Sequence, residues 1–275
     1  MVEARVISLG RVTDKHPVKR IFPAATRFEA IDYRKKSPAD LLKEKLITDA
    51  GYESLTNGRK YHHEIGASGA VGLHMSFYEL LKSGEGDIVI FEDDCIPHAK
   101  MPEAIEMLRT KTDYDIVIFG PLRYDATGAR ASHYENFHFL KSYFWGMHAI
   151  FVPGRSRKAL VSLLEPPVDI QVDALISRLA IYKNYSVLIQ SGGVPLATQA
   201  QHESTVQVDN GRCILCDVLP DDLYKRERWL TLCIVLLVLV LFAVTVRQFF
   251  FCSCNDYFYC PKLGRFIKRS RSQRP

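Results

Sequence analysis

The run Asp-Ile-Val-Ile-Phe occurs twice, at 87–91 and at 115–119, and constrains the fold more than any other feature of the chain. Neither copy has a polar residue among its four apolar positions. A strand with one face in water alternates apolar and polar residues, whereas an unbroken β-branched run fits a central strand covered on both faces. Val6-Ile-Ser-Leu9 reads as a first strand of the same sheet. Helical spacing separates these runs. Val71, Met75, Tyr78 and Leu81 recur every three or four residues beside a second stripe of Leu73, Phe77 and Leu80, predicting a helix over 70–82. Pro102 suits the first turn of another helix, with Ile105 and Leu108 facing inward. A further helix is predicted over 168–182, with Val172, Leu175, Ile176 and Leu179 on its apolar side. Alternation of this kind specifies an α/β sheet with helices on both faces. The 275 residues suffice for one domain of about 200 residues plus an appendage.

The appendage is C-terminal. Residues 229–246, from Trp229 to Val246, carry no charge and end at Arg247, close to the roughly 20 residues that cross a bilayer. All-round apolarity separates this run from an amphipathic core helix and predicts a single-pass transmembrane helix. The expected organisation is a domain over 1–210, a juxtamembrane linker over 211–228, the membrane helix over 229–246 and a Cys-containing basic tail over 247–275. Much of the +5 net charge lies in that tail, which fits acidic lipid headgroups and not nucleic acid. Only Cys95 lies in the first 200 residues, so internal disulfides do not staple the domain. Cys213 and Cys216 have the spacing of half a zinc site without a second pair, and Cys252 or Cys254 is open to acylation. Basic residues flank the apolar run on both sides, so charge alone barely orients it. With no secretory signal at the start and little cysteine, the expectation is a cytosolic domain, a lumenal one being the alternative.

The chemistry is concentrated where the first Asp-Ile-Val-Ile-Phe run ends, at Glu92-Asp93-Asp94. Ligands of open α/β sheets bind beyond the carboxyl ends of the strands. Three consecutive carboxylates repel one another unless a cation neutralises them, and oxygen ligands select a hard ion, Mn²⁺ or Mg²⁺. Such an ion bridges the phosphates of a nucleotide-sugar and stabilises the departing diphosphate. The alternative is a solvated acidic turn.

The order of motifs around these acids resembles glycosyltransferase family 25, the lipopolysaccharide and collagen galactosyltransferases. The apolar strand Val6–Leu9 is followed by Arg11 and Arg20, then by Ala30-Ile31-Asp32. A Gly-rich helix start follows, at Gly69, Gly72 and Ser76, and then the strand ending in Glu-Asp-Asp. Trp145-Gly146 to Gly154, Pro167-Val-Asp169 and Gln199-Ala-Gln-His202-Glu-Ser204 complete the series, which spans roughly residues 4–208. Phe77 replaces the family's usual His, and Met147 and Ala149 replace its Thr and aromatic positions.

The resemblance implies a GT-A-like, single nucleotide-sugar-binding domain. It also implies inverting, metal-dependent transfer of a hexose, galactose or glucose, from a UDP-sugar to a glycan or protein hydroxyl. Glu92, Asp94 and His202 are the expected metal ligands. Arg11, Asp32, Gly69, Gly72, Ser76 and Asp93 are expected around the donor. Asp32 either accepts from uracil or ribose or stands in a plain surface turn. His202 is either a ligand, as neutral imidazole suits Mn²⁺, or a structural histidine. Asp169 and Asp173, four apart and expected on one helical face, are the candidates for the base that deprotonates the acceptor. A helix cap is the other reading of Asp169. A catalytically silent, membrane-anchored scaffold on the same fold is the alternative function. Phosphoryl or nucleotidyl transfer also uses clustered carboxylates, but the chain has no P-loop.

Overall fold

The computed structural model describes residues 2–200 apart from 11, 125, 127, 128 and 184, together with 233–244, 257–260 and 265–268. Two units are present, Met1–Asp221 and Asp222–Pro275. The first half of the first unit contains β1 (Glu3–Ser8), α1 (Pro17–Ile21), β2 (Thr26–Glu29), α2 (Pro38–Lys43), α3 (Asp49–Asn57), α4 (Ser68–Lys82), β3 (Ile88–Glu92), β4 (Cys95–Pro97), α5 (Met101–Arg109) and β5 (Ile116–Phe119). Then come β6 (Arg123–Tyr124), β7 (Arg130–Ala131), β8 (Phe137–Phe139), β9 (Phe144–Trp145), β10 (Ala149–Val152), α6 (Gly154–Leu164), α7 (Val172–Tyr182), β11 (Val187–Gln190) and β12 (Ala197–Gln199).

Eight strands form one mixed sheet in the order β2-β1-β3-β10-β5-β11-β8-β7. Strands β2, β1 and β3 run parallel, as do β5 and β11, while β10 is antiparallel between β3 and β5. The two Asp-Ile-Val-Ile-Phe runs are β3 and β5, and their alternate side chains enter two different cores. Ile88, Ile90, Ile116 and Ile118 pack with Val71 and Met75 of α4, Leu160 of α6 and Ile176 of α7. Val89, Phe91, Val117 and Phe119 pack with Val18 of α1 and Met101, Ile105 and Leu108 of α5. Neither face meets water, which is why no polar residue interrupts the runs. The Asp that opens each run is used structurally. Asp87 accepts from the Gly154 N–H at 2.8 Å, and Asp115 from the Ser186 N–H at 2.9 Å.

Helix α7 begins later than its sequence pattern predicts. Val168 bridges to Ile47 and Ile170 to Glu64, which keeps 168–170 extended, and Gln171 is the N-cap. Asp169 therefore precedes the helix and shares no helical face with Asp173. It is not the cap either.

Gly120 follows β5 with φ +57°, and a Cβ there would lie 1.8 Å from the Ala197 carbonyl oxygen. The β12 segment can approach the end of β5 this closely only at a glycine. Gly120→Ala should destabilise the domain by on the order of 3 kcal/mol through this clash and the left-handed backbone. Urea denaturation measures it, and a loss under about 0.5 kcal/mol would show that the segment can shift freely.

In the second unit, 233–244 form α8, all of whose side chains are exposed, and β13 (Tyr257–Cys260) pairs antiparallel with β14 (Arg265–Lys268). Among the described residues no helix is long and apolar enough to cross a membrane. The rest of the apolar run, 229–232 and 245–246, lies outside the described residues, as do Cys213, Cys216, Cys252 and Cys254.

Candidate metal centre and its surroundings

The parallel strands β1, β2 and β3 all end at one edge of the sheet, and β3 delivers Glu92, Asp93 and Asp94 there. The three acids do different things. Asp93 turns toward β1: its Oδ2 accepts from Ser8 Oγ at 2.8 Å, and its carbonyl lies 2.9 Å from His16 Nε2. Asp94 is held by β12, with Oδ2 accepting from Gln199 Nε2 at 2.7 Å and its carbonyl from the Ala200 N–H at 2.8 Å. Its other oxygen, Oδ1, is buried without a hydrogen-bond partner. Glu92 sits beside His148, with Oε2 3.4 Å from Nδ1.

His148 is 1% exposed, and its Nε2 is likewise without a partner. It enters the site because β10 lies antiparallel against β3, with Ala149 opposite Phe91 and the His148 carbonyl accepting from the Glu92 N–H at 2.9 Å. Ligand atoms of Glu92, Asp94 and His148 all lie within 4.8 Å of one another. Oxygen or nitrogen ligands at about 2.0–2.2 Å from a divalent ion stand roughly 3–4.4 Å apart, so a small inward movement would close the set. A buried carboxylate oxygen without a partner, on an acid clustered with a second carboxylate and a buried imidazole, is costly to keep in a protein interior without a ligand. The residues present therefore fit a divalent cation.

Asp173, in the first turn of α7, is the fourth acid of this region. It is half-buried, and its Oδ1 accepts from the Ala174 N–H at 2.8 Å. Burial pushes its carboxyl up to about 6, against the backbone N–H groups of Ala174 and Gly146 and with help from the negative charge of Glu92. Gly146, at φ +83°, is where these parts converge. A Cβ there would lie 2.7 Å from Leu122 Cγ and 3.0 Å from His148 Nε2. Asp169 lies apart from the acids: its carbonyl accepts from the Ile65 N–H, beside α3.

The residues expected around the donor divide similarly. Ser76 is fully buried, with its hydroxyl accepting from the Ile31 N–H at 2.8 Å and donating to the Gly72 carbonyl at 2.7 Å. Gly72 gives way to the same loop, since a Cβ there would lie 2.3 Å from the Ile31 carbonyl oxygen. Both residues hold the 31–33 loop against α4 and present no free group to a ligand. Gly69 lies in the first turn of α4. That loop carries Asp32, which is exposed, paired with Arg34 at 2.7 Å and lowered to about 2 by the Arg34 side-chain and backbone hydrogen bonds. Arg11 and His202 lie outside the described residues. Phe77, Met147 and Ala149, which depart from the family pattern, are all buried in the cores, where they fill volume.

Sequence reasoning missed His148. It lies within the Trp145–Gly154 element but is the lone polar residue before a short apolar strand, and nothing local marks it as a ligand. In the sequence Gln199 stands out only as the first residue of the strip that runs to Ser204.

On the other side of β3, the ends of β5 and β11 border a cleft of about 740 Å³, walled by Pro121 to Tyr124, Ser191 to Gly193, Pro195 and Ala197 to Ala200. Gln199 is common to this wall and to Asp94.

No family model and no curated protein sequence matches the chain. Among solved structures, a UDP-glucose pyrophosphorylase from Acinetobacter baumanii overlaps 72% of this chain and 88% of its own, at 11% identity and a TM-score of 0.39. An inositol-1-phosphate CTP transferase from T. maritima overlaps 76% and 92%, at 13% identity and a TM-score of 0.39. A functional reading therefore rests on the chemistry of the site.

Proposed function

We propose that this protein is a metal-dependent transferase that moves a hexose from a nucleotide-sugar, a UDP-sugar, to a hydroxyl acceptor with inversion. The observation that supports it most is the cluster of Glu92, Asp94 and buried His148, with one Asp94 oxygen buried and unpartnered, at the strand ends where α/β sheets bind ligands. In this reading Glu92, Asp94 and His148 hold Mn²⁺ or Mg²⁺. The ion would neutralise the charge that grows on the leaving diphosphate. Gln199 keeps the Asp94 carboxylate turned so that one oxygen faces inward. Asp173 takes the proton of the acceptor hydroxyl as that oxygen bonds to the anomeric carbon and the sugar–phosphate bond breaks. Burial keeps this carboxylate more basic than a solvated one, which suits it to the role. The motif order of family 25 supports the donor class and the stereochemistry.

Purified protein should hydrolyse or transfer from UDP-galactose or UDP-glucose with Mn²⁺ and lose that activity in EDTA. A donor screen by mass spectrometry reads this directly. Release of pyrophosphate from a nucleoside triphosphate and a sugar phosphate, with UDP-sugars inert as donors, would replace this reading by nucleotidyl transfer.

The apolar run over 229–246, of which α8 is the described part, supports membrane anchoring, with a lipid bilayer as its partner. A chain ending at Asp217 should leave the membrane fraction and keep its activity. Protease added to sealed microsomes should cut the catalytic domain. Protection of that domain with loss of the tail would make it lumenal.

A further inference from the structure

The cleft beside the metal centre is preformed. Gln190, 6% exposed, staples its 191–196 loop: Nε2 donates to the Gly192 carbonyl at 3.3 Å and the Val194 carbonyl at 2.8 Å, while Oε1 accepts from the Leu196 N–H at 2.9 Å. The volume of about 740 Å³ falls in the range of small-molecule sites, roughly 300–1,000 Å³. Its lining is nearly uncharged. Among the described residues of the lining Arg123 is the one charged residue, no carboxylate, lysine or histidine contributes, and the rest offers backbone groups, hydroxyls and small apolar side chains. One large apolar side chain of the lining, Leu122, is 63% exposed.

Strand order decides which substrate belongs here. In β2-β1-β3-β10-β5-β11 the acids of β3 stand between two regions. On one side are the ends of β1 and β2, with Ser8 and the loop carrying Asp32. On the other is the cleft. Leu122 of the cleft wall stands against Gly146, whose N–H reaches the Asp173 carboxylate, so the proposed base lies on the cleft side of the acids. Displacement with inversion needs the entering hydroxyl opposite the leaving group, hence across the metal centre from the nucleotide.

We infer that the cleft takes the acceptor, and that the acceptor is an uncharged polyhydroxylated compound carrying an apolar substituent, such as a glycoside with an apolar aglycone. Backbone groups and the Ser191 and Thr198 hydroxyls of the lining match its hydroxyls, and Leu122 covers the apolar part. This inference rests on the transferase reading above.

The test is equilibrium binding, by titration calorimetry, of a panel of methyl and phenyl β-hexosides and their 6-phosphates to the full-length protein. Each is measured with and without UDP and Mn²⁺. At least one neutral phenyl glycoside should bind, about tenfold tighter than its methyl counterpart and tighter than its 6-phosphate. Thr198→Trp, which narrows the cleft, should weaken the glycoside at least tenfold and leave the UDP affinity within twofold. Leu122→Asp, on the exposed rim, should abolish the preference for phenyl over methyl while the melting temperature stays that of the wild type. The inference is overturned if no neutral glycoside of the panel binds, if the 6-phosphates bind as tightly, or if Thr198→Trp weakens UDP as much as the glycoside. Failure of UDP to bind in the presence of Mn²⁺, with glycosides still binding in the cleft, would instead remove the transferase reading and leave the chemistry of the cleft standing.

Discussion

Asp94→Asn should abolish transfer, to below about 1% of wild type, while the domain stays folded. The asparagine can still accept from Gln199 and leaves the Ala200 hydrogen bond to the residue-94 carbonyl in place, so β12 remains docked. What it loses is the negative charge that balances a cation beside Glu92 and His148. Removing one of three protein ligands should weaken Mn²⁺ by more than the 10–100-fold typical of an outer contact. Gln199→Ala, which removes such an outer contact, should fall inside that range. Mn²⁺ binding by electron paramagnetic resonance separates the two. Mn²⁺ at 100 times its Kd should also stabilise the wild type by about 2.7 kcal/mol, and Asp94→Asn should lose that gain. Full turnover in EDTA, or an undiminished Mn²⁺-induced rise in melting temperature in Asp94→Asn, would remove the metal from the mechanism.

The acids were legible because their signal is local: an apolar run covered on both faces can end in Glu92-Asp93-Asp94 only at the edge of a sheet. His148 was not, because its place depends on pairing distant in sequence. Strand β10 is four residues long, too short for a period, and lies between β3 and β5 only because Ala149 pairs with Phe91 and Phe119. The start of α7 was misplaced for the same reason. Apolar spacing carries back to Val168, but bridges to Ile47 and Glu64 hold that stretch extended. Ser76 and Gly72 show another kind of failure. Their residue types are those of ligand loops, yet in the fold they bind a neighbouring loop, and sequence does not separate the two uses. The cleft was invisible for want of any motif: Gly120 and Gln190 shape it through one close approach and three hydrogen bonds.

Asp173→Asn should lower kcat by about 10²–10⁴-fold and at the same time make the protein more stable at neutral pH. The two effects share a cause. Burial and Glu92 raise the carboxyl from 3.8 to about 6, so the folded state holds the proton more tightly than the unfolded chain does. The resulting stability is fully present below about pH 4 and is lost as pH rises through 6. That displacement corresponds to at most about 3 kcal/mol. Asparagine has no charge to bury and can keep the Ala174 hydrogen bond, but forgoes roughly 0.3–1 kcal/mol of favourable charge at the start of α7. A net gain of about 1–2 kcal/mol above pH 7, vanishing near pH 4, is expected from urea denaturation across pH. Turnover of the wild type, measured with Mn²⁺ saturating, should climb with pH as the carboxyl ionises, at a lower pH than in the metal-free protein because the ion offsets the charge of Glu92, and Asp173→Asn should lack that limb. Asp169→Asn, by contrast, should leave the profile intact, because its backbone and not its carboxylate is what the fold uses. If Asp173→Asn destabilises the protein at every pH and leaves kcat within threefold, Asp173 is a structural acid. If Asp169→Asn instead removes the limb, the base is Asp169. The first outcome, a stabler and slower Asp173→Asn, would mark an acid kept at a cost in stability for its role as a proton acceptor.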